Sequence, residues 1–354
     1  MQYQQCTLED VREALNWLDA GVSRADWVTI GMAIKSEFGD AGRDEFETFS
    51  QTSDKYKRAD FLATWRSIRA GGAVGIGSLF KQALDAGYKP QKIEYSEQQK
   101  QQRQQEYAAR AVQREHEAEA EKRLRDQLQR AIGAVCVDIW NSDHLSCEGH
   151  SEYLDKKQVP ASGAKFVKNA FMIVTDLVKN TAYVLTDYAE MRAMAAFKKQ
   201  NPEAVSFQWP KHGALVVPMA DLQGQLWGLQ FITTGAKMFI AGSKKSGSGF
   251  LLGAVEDGGV MCLAEGFATA ASIHLATGFA VLVCWDAGNL QFMAEQVRAT
   301  YGQAHLLICG DNDVTTEGNP GLLSAKKSAA VARCHFVVPS FAQLTAEIRE
   351  VACG

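Results

Sequence analysis

Residues 260–266 have the sequence Val-Met-Cys-Leu-Ala-Glu-Gly, an apolar run that ends at a carboxylate and a glycine. Similar apolar runs alternate with helix-type segments as far as residue 338. Short runs without polar alternation are typical of strands buried on both faces of a parallel sheet. The pattern predicts strands at residues 260–264, 280–285, 305–309 and 336–338, separated by helices at 268–276, 290–301 and 322–333. The C-terminal part is therefore predicted to be an α/β fold with a parallel sheet.

Acidic residues follow two of these predicted strands. Glu265 follows the first strand, and Asp311 and Asp313 follow the third. Because ligand sites of open parallel sheets form beyond the carboxyl ends of the strands, we expect these carboxylates to converge. Converging carboxylates repel one another unless a cation compensates them, and hard oxygen ligands select Mg²⁺ or Mn²⁺. We therefore predict a divalent-metal site formed by Glu265, Asp311 and Asp313.

Several short motifs accompany the acids. They are Leu-Ala-Glu-Gly-Phe-Ala-Thr-Ala-Ala at 263–271, Ala-Gly-Asn-Leu at 287–290, Gly-Asp-Asn-Asp at 310–313 and Gly-Asn-Pro-Gly at 318–321. Together they resemble the TOPRIM domain of bacterial primases, type IA and II topoisomerases and OLD-type nucleases. The closest resemblance, over roughly residues 210–340, is to the TOPRIM primases of plasmids, phages and integrative elements.

The segment at residues 131–250 is predicted to be a mixed α/β subdomain. Strands are expected at residues 171–175, 181–186, 214–218 and 226–232, with a helix at 187–199 and a hairpin turn at 221–224. The runs Gly213-Ala-Leu-Val-Val-Pro218 and Gly235-Ala-Lys237 resemble the part of bacterial-type primases that starts with a strand pair and ends in a lysine-bearing loop.

The first ninety residues are predicted to form a helical domain. A capping box at Thr7–Asp10 starts its first helix, and aromatic residues recur along the segment as candidate core. The motifs Asp26-Trp27, Ser53-x-Lys55-Tyr56 and Gly75-x-Gly77-Ser-Leu-Phe80 resemble the primase C-terminal type 2 (PriCT-2) module of phage and plasmid replication proteins.

Residues 91–130 differ in composition from both neighbouring segments. They contain 10 Gln and 17 charged residues but no Gly or Pro, which predicts a long solvated helix connecting two domains. The expected organisation is a helical PriCT-2-like domain at 1–90, a charged Gln-rich connector at 91–130, the mixed subdomain at 131–250 and a TOPRIM domain at 251–354.

The resemblance implies a DNA primase that synthesises short RNA primers on a single-stranded DNA template from NTPs. By this analogy Asp311 and Asp313 hold the metal, and Glu265 is an acid/base group or a further ligand. Candidate groups for triphosphate or template phosphate are lysines before and after the acids: Lys237, Lys244, Lys245, Lys326 and Lys327. Asp286, after the second strand, could approach the metal or cap the next helix, and the cap is favoured.

Charge and cysteine content narrow the class of protein further. Within the net charge of −4, residues 131–250 carry +2 and residues 251–354 carry −5, as expected for a basic segment beside a carboxylate metal site. The eight cysteines form no C-x-x-C pair, so neither zinc nor a disulfide framework is predicted. No apolar run is long enough for a membrane span and no signal peptide is recognisable, so we expect a cytoplasmic protein.

Two other functions stay open at this point. A TOPRIM nuclease would share the three acids but cleave nucleic acid, and a replication accessory protein would carry a decayed site. The lysine-bearing segment before Glu265 favours the primase over the nuclease, and the intact acids count against decay. No G-x-x-x-x-G-K-[ST] motif is present, so a replicative helicase partner would act in trans.

Overall fold

The computed structural model describes residues 6–68, 74–90 and 96–340. The remaining parts of the predicted helical domain, connector and TOPRIM segment lie outside the described residues: 1–5, 69–73, 91–95 and 341–354. The chain divides into two compact units, Met1–Leu124 and Arg125–Gly354. None of the helices in the described part of the chain combines the length and hydrophobicity that a bilayer span requires.

The first unit is helical, as predicted. Its helices are α1 (Leu8–Leu15), α2 (Arg24–Phe38), α3 (Arg43–Gln51), α4 (Arg58–Ser67) and α5 (Gly77–Asp85). The predicted capping box is present, since the Thr7 hydroxyl accepts from the Asp10 amide and the Asp10 carboxylate accepts from the Thr7 amide. Phe46, Phe61 and Trp65 are buried and in mutual ring contact at the centre of this unit.

Helix α6 runs unbroken over 44 residues, Glu97–Trp140, which confirms the predicted long helix. Its Arg114 is not simply solvated, because the Nη1 atom lies 2.7 Å from Glu37 Oε2 and 3.0 Å from the Glu37 carbonyl oxygen. Glu37 is buried, and its Oε1 atom has no hydrogen-bond partner in the described part of the chain. Arg114 is thus the counter-charge for a carboxylate inside the helical unit.

The second unit contains the C-terminal part of α6 and two antiparallel sheets. Its first elements are β1 (Leu145–Ser146), α7 (Glu152–Lys157), β2 (Lys165–Val167), β3 (Met172–Asp176), β4 (Thr181–Leu185), α8 (Tyr188–Gln200), β5 (Val205–Gln208), β6 (Leu215–Ala220), β7 (Leu226–Ile232) and β8 (Lys237–Phe239). One sheet has the order β1-β2-β6-β7-β8 and the other β4-β3-β5. The C-terminal part of α6 packs on the first sheet, and a Cβ atom on Gly133 would lie 2.8 Å from the Leu226 carbonyl oxygen.

The predicted alternation of strands and helices follows. Its elements are β9 (Phe250–Leu252), β10 (Val260–Ala264), α9 (Phe267–Thr277), β11 (Ala280–Val283), α10 (Ala287–Thr300), β12 (His305–Cys309), α11 (Pro320–Ala332) and β13 (His335–Val337). The sheet order is β13-β12-β10-β11-β9, and β10–β13 are mutually parallel, as predicted. The antiparallel edge strand β9 was not predicted.

The packing of strand β10 explains why apolar and polar residues do not alternate in its sequence. Cys262 and Ala264 pack on one face of the sheet with Phe267 and Ala270 of α9. Met261 and Leu263 pack on the other face with apolar residues of α10 and α11. Both faces are covered by helices, so every residue from Met261 to Ala264 is buried.

We expect Arg114→Ala to lower the free energy of unfolding by about 3–5 kcal/mol, because it leaves the buried Glu37 carboxylate without a counter-charge. Urea unfolding of the full chain measures this change. The matched control is Arg123→Ala on the same helix, whose pair with Glu119 is solvent-exposed, so that its loss costs less than about 0.5 kcal/mol. Equal effects of the two substitutions would contradict the structural role of Arg114.

Candidate metal centre

The sheet brings the three predicted acids to one edge. Strands β10 and β12 are parallel neighbours, and Ala264, the last residue of β10, pairs with Cys309, the last residue of β12. Glu265 therefore leaves the sheet beside Gly310, and Asp311 and Asp313 follow within three residues. This register places all three carboxylates beyond the carboxyl ends of adjacent strands, the usual position of sites in parallel sheets.

The carboxylates raise one another's affinity for protons. Burial raises the pKa of Glu265 above its ordinary value, and the charges of Asp311, Asp286 and Asp313 raise it further, against a lowering contact with the Ser324 hydroxyl. Burial and the charge of Asp313 likewise raise the pKa of Asp311, while Lys237 lowers it. Negative charge thus accumulates at this edge.

One oxygen of Glu265 lacks the partner that a buried carboxylate requires. The Oε1 atom is buried and accepts no hydrogen bond from the described residues. A buried oxygen without a donor costs free energy unless a ligand or cation supplies the missing contact. Together with the neighbouring carboxylates it forms an all-oxygen donor set of the kind that suits a hard divalent cation.

The loop that carries Asp311 and Asp313 is held by Asn319, which precedes helix α11. Asn319 adopts a left-handed conformation with φ of 44°, and its Oδ1 accepts from the amides of Asp313 at 3.0 Å and Leu322 at 3.3 Å. Its Nδ2 donates to Asn312 Oδ1 at 2.7 Å. The side chain therefore caps helix α11 and also holds the D-x-D loop. The sequence motif includes Asn319, but this role was not predicted from it.

Two glycines let helix α11 approach this loop closely. The amide of Gly321 donates to Asp313 Oδ2 at 3.0 Å. A Cβ atom on Gly321 would lie 2.4 Å from the Asp311 carbonyl oxygen and 2.9 Å from Asp313 Oδ2. A Cβ atom on Gly310 would lie 2.5 Å from the Ala325 side chain. The positions of Asp311 and Asp313 thus depend on the absence of side chains here.

Of the predicted lysines, Lys237 lies nearest the acids. It is the exposed first residue of β8, not a loop residue as expected, and its Nζ atom lies 3.7 Å from the position of a Cβ on Gly266. Its charge lowers the pKa of Asp311. Lys237 is therefore a cation beside the carboxylates.

Lys245 contacts Asp286, which lies just after the neighbouring strand β11. The two form an ion pair, and Asp286 Oδ1 accepts from the Asn289 amide at 2.8 Å, which confirms the predicted helix cap. Burial opposes ionisation of Asp286, but Lys245 and the backbone amides outweigh it and lower its pKa. Asp286 thus stays ionised and adds its charge to the field at Glu265.

The roles of two further residues near Asp286 were not predicted from the sequence. Trp285 adopts a φ of 73°, rare for a large side chain, and its Nε1 donates to the Ser248 carbonyl oxygen at 2.9 Å. Asn289 is buried and bridges the Ser248 and Cys284 carbonyl oxygens with its Nδ2. Both residues fasten the loop that carries Lys245 to the end of β11.

The remaining predicted lysines have other surroundings in this structure. Lys244 lies over the Trp227 ring, with Nζ 4.2 Å from its centroid, and lines a small cavity with Asp221 and Phe292. Lys326 and Lys327 are exposed on α11. The structure thus places Lys237 beside Asp311 and Lys245 beside Asp286.

Within the described ranges, no three His, Cys, Asp or Glu side chains stand close enough together to enclose a metal ion. The chemistry of the site nevertheless fits one, because the donors are carboxylate oxygens that repel one another and Glu265 Oε1 is buried without a partner among the described residues. Glu265, Asp311 and Asp313 are the residues that could hold it.

Two domain models and two relatives match parts of this chain. The Toprim domain model matches residues 260–338, and the Primase C terminal 2 (PriCT-2) model matches residues 11–83. Two Escherichia coli proteins, both DNA primase TraC, are 33% and 34% identical to this chain over 134 residues. The aligned part covers 36% of this chain but only 13% and 9% of these relatives, so the chain corresponds to a small part of their length.

Among solved structures, the DnaG catalytic core is similar at a TM-score of 0.31 and 12% identity, over 61% of this chain and 71% of that one. Likeness at that level is too weak to assign a function. The family matches, by contrast, confirm the resemblance seen in the sequence.

The C-terminal part of the chain is thus a Toprim domain, a class of domain that binds divalent metals. The chain combines this domain with an N-terminal PriCT-2 domain, and it is homologous to the DNA primase TraC over the aligned region.

We expect Gly321→Ala to displace the Asp311–Asp313 loop, because the new methyl group would collide with a backbone carbonyl and a carboxylate. The cost should be about 1–3 kcal/mol in unfolding free energy, as for overpacked cores. Thermal unfolding with EDTA and with Mn²⁺ measures both the cost and the loss of metal-induced stabilisation. The control Gly288→Ala meets only an ordinary 3.5 Å contact and should keep the Mn²⁺ response.

Asp311→Asn should raise the unfolding temperature in EDTA at neutral pH, because it removes one of the mutually repelling carboxylates. In Mn²⁺ the wild-type protein should instead have the higher unfolding temperature, because it gains the metal's binding free energy and the variant gains less. Differential scanning calorimetry under both conditions tests this. Asp257→Asn, an exposed substitution at the opposite end of β10, should show neither effect.

Proposed function

We propose that this protein is a DNA primase that synthesises short RNA primers on single-stranded DNA from NTPs. The single observation that carries this proposal is the carboxylate cluster at the ends of β10 and β12, with Glu265 Oε1 buried and unpartnered. The Toprim match and the homology to TraC support the assignment of this cluster to primer synthesis.

In this proposal Glu265, Asp311 and Asp313 hold divalent metal, Mg²⁺ or Mn²⁺. When bound, the metal supplies charge neutralisation for the triphosphate and the attacking hydroxyl. Asn319 and the Gly321 amide keep Asp311 and Asp313 oriented by the contacts described above. The raised pKa of Glu265 makes it the residue best suited to take or give a proton at this edge.

Lysines supply the cationic contacts to the substrates. Lys237, beside the acids, is proposed to contact the triphosphate, and Lys245 holds Asp286 while facing the same edge of the sheet. Lys244, Lys326 and Lys327 are proposed to contact template phosphates farther from the metal. Lys237 has the strongest support, because its charge lowers the pKa of a predicted metal ligand, Asp311.

The proposed organisation of the chain is a helical domain at 1–90, a connector at 91–130, a mixed subdomain at 131–250 and the Toprim domain at 251–354. Primer synthesis belongs to the replication of a plasmid, phage or integrative element in the cytoplasm, with any replicative helicase acting in trans. The homology to TraC supports this setting.

Primer synthesis can be tested directly with single-stranded DNA, labelled NTPs and Mg²⁺ or Mn²⁺. We expect short oligoribonucleotides from the wild-type protein and a loss above about 100-fold in Asp311→Asn, since even partners outside the ligand shell are worth about 10–100-fold. Asp257→Asn should retain full activity. Degradation of the DNA without NTP incorporation would instead identify a Toprim nuclease and overturn the proposal.

A further inference from the structure

A cavity of about 220 Å³ opens at the surface of the helical unit, far along the chain from the carboxylates. It lies among the start of α2, the end of α3 and the segment that leads into α4. Drug-sized clefts usually have about 300–1,000 Å³, so this cavity has room for one small ring system rather than an extended ligand. Nothing in the proposed primer synthesis uses it.

Aromatic side chains form one wall of the cavity. Trp27 and Tyr56 are half-buried there, whereas the nearby core rings of Phe46 and Phe61 are fully buried. Trp27 Nε1 donates to Ser50 Oγ at 2.9 Å, and the Tyr56 hydroxyl bonds Glu47 Oε1 at 2.8 Å. Because the polar atoms of both rings are satisfied within the protein, the rings offer the cavity apolar surface in a fixed orientation.

Cationic side chains form the rim. The exposed residues Arg24, Lys55 and Lys57 line the cavity, against a single lining carboxylate, Asp60. Lys55 Nζ donates to the Gly21 carbonyl oxygen at 3.0 Å, which holds the ammonium group in place with two donors to spare. Lys57 has no hydrogen-bond or ion-pair partner among the residues described here.

This combination differs from an ordinary gap in a helical core. A core cavity is apolar and closed, but this one is open and combines fixed ring surface with an excess of positive charge. Stacking of bases on aromatic side chains together with cations along the phosphates is the general chemistry of single-stranded nucleic acid binding. In a nucleotide, the base is a flat ring system, and one sugar joins it to the phosphate.

We propose that this cavity binds one nucleotide unit, with its base against Trp27 and Tyr56 and its phosphate near Lys55 and Lys57. The unit comes from single-stranded DNA or from a free nucleotide, which share this chemistry. The inference rests on the helical unit alone and stands independently of the proposed chemistry at the carboxylates.

Photocrosslinking of the full-length protein locates the site. The two probes are an oligonucleotide with one 4-thiothymidine and 4-thio-UTP, each irradiated with the protein and mapped by peptide mass spectrometry. We expect adducts on peptides that contain Trp27 or Tyr56. Competition by unlabelled oligonucleotide alone would identify a strand site, and competition by NTP a free-nucleotide site; each result supports the proposal.

Charge variants test the role of the rim. Lys57→Ala removes an exposed, unpartnered cation, and we expect it to weaken formation of the adduct about tenfold, as for loss of one charged hydrogen bond. If the ligand is a single strand, the slope of log affinity against log salt should also fall by about 0.7. The matched control is Lys81→Ala, exposed on α5 outside the cavity, which should change neither quantity.

Absence of adducts at Trp27 and Tyr56 with both probes would overturn the inference, as would equal effects of Lys57→Ala and Lys81→Ala on adduct formation. The test is separable from primer synthesis, because Asp311→Asn should lose synthesis yet keep the adduct. Failure of the proposed primer synthesis would therefore not contradict nucleotide binding in the cavity. Absence of the adduct would likewise not contradict primer synthesis.

Discussion

The candidate site depends on one constraint, the parallel register of β10 and β12. Because Ala264 pairs with Cys309, the residues that follow both strands must leave the sheet side by side. Three carboxylates then share a half-buried edge, where burial and their mutual repulsion raise the pKa of Glu265 and Asp311. The apolar packing on both faces of β10 maintains this arrangement against that repulsion.

The carboxylates of the two units differ in whether they form an ion pair. In the helical unit the buried Glu37 is paired with Arg114 at 2.7 Å, so the charge is neutralised within the protein. At the sheet edge Asp286 is likewise paired with Lys245, but Glu265 forms no ion pair among the described residues. Carboxylates with a structural role are thus paired with a cation, and the carboxylate where a ligand is expected is not, as is usual for functional sites.

Much of the α/β part could be predicted from sequence, since strands β10 and β12 have the predicted bounds and the acids follow the carboxyl ends of these two neighbouring strands. Strong apolar runs determine such strands locally. The edge strand β9, the bracing role of Asn319 and the ring contact of Lys244 could not be predicted. Each depends on contacts between segments distant in sequence or on a left-handed backbone conformation, which residue periodicity does not encode.

The close contact between Gly321 and the acidic loop has a consequence for reading related sequences. Every codon change that replaces this glycine adds at least one carbon atom to a position 2.4 Å from a carbonyl oxygen. A homologue could therefore keep all three acids and still have lost the site through this one position. Genome surveys that count only carboxylates would misclassify such a chain as active, whereas inspection of the residue after the Asn-Pro pair would detect it.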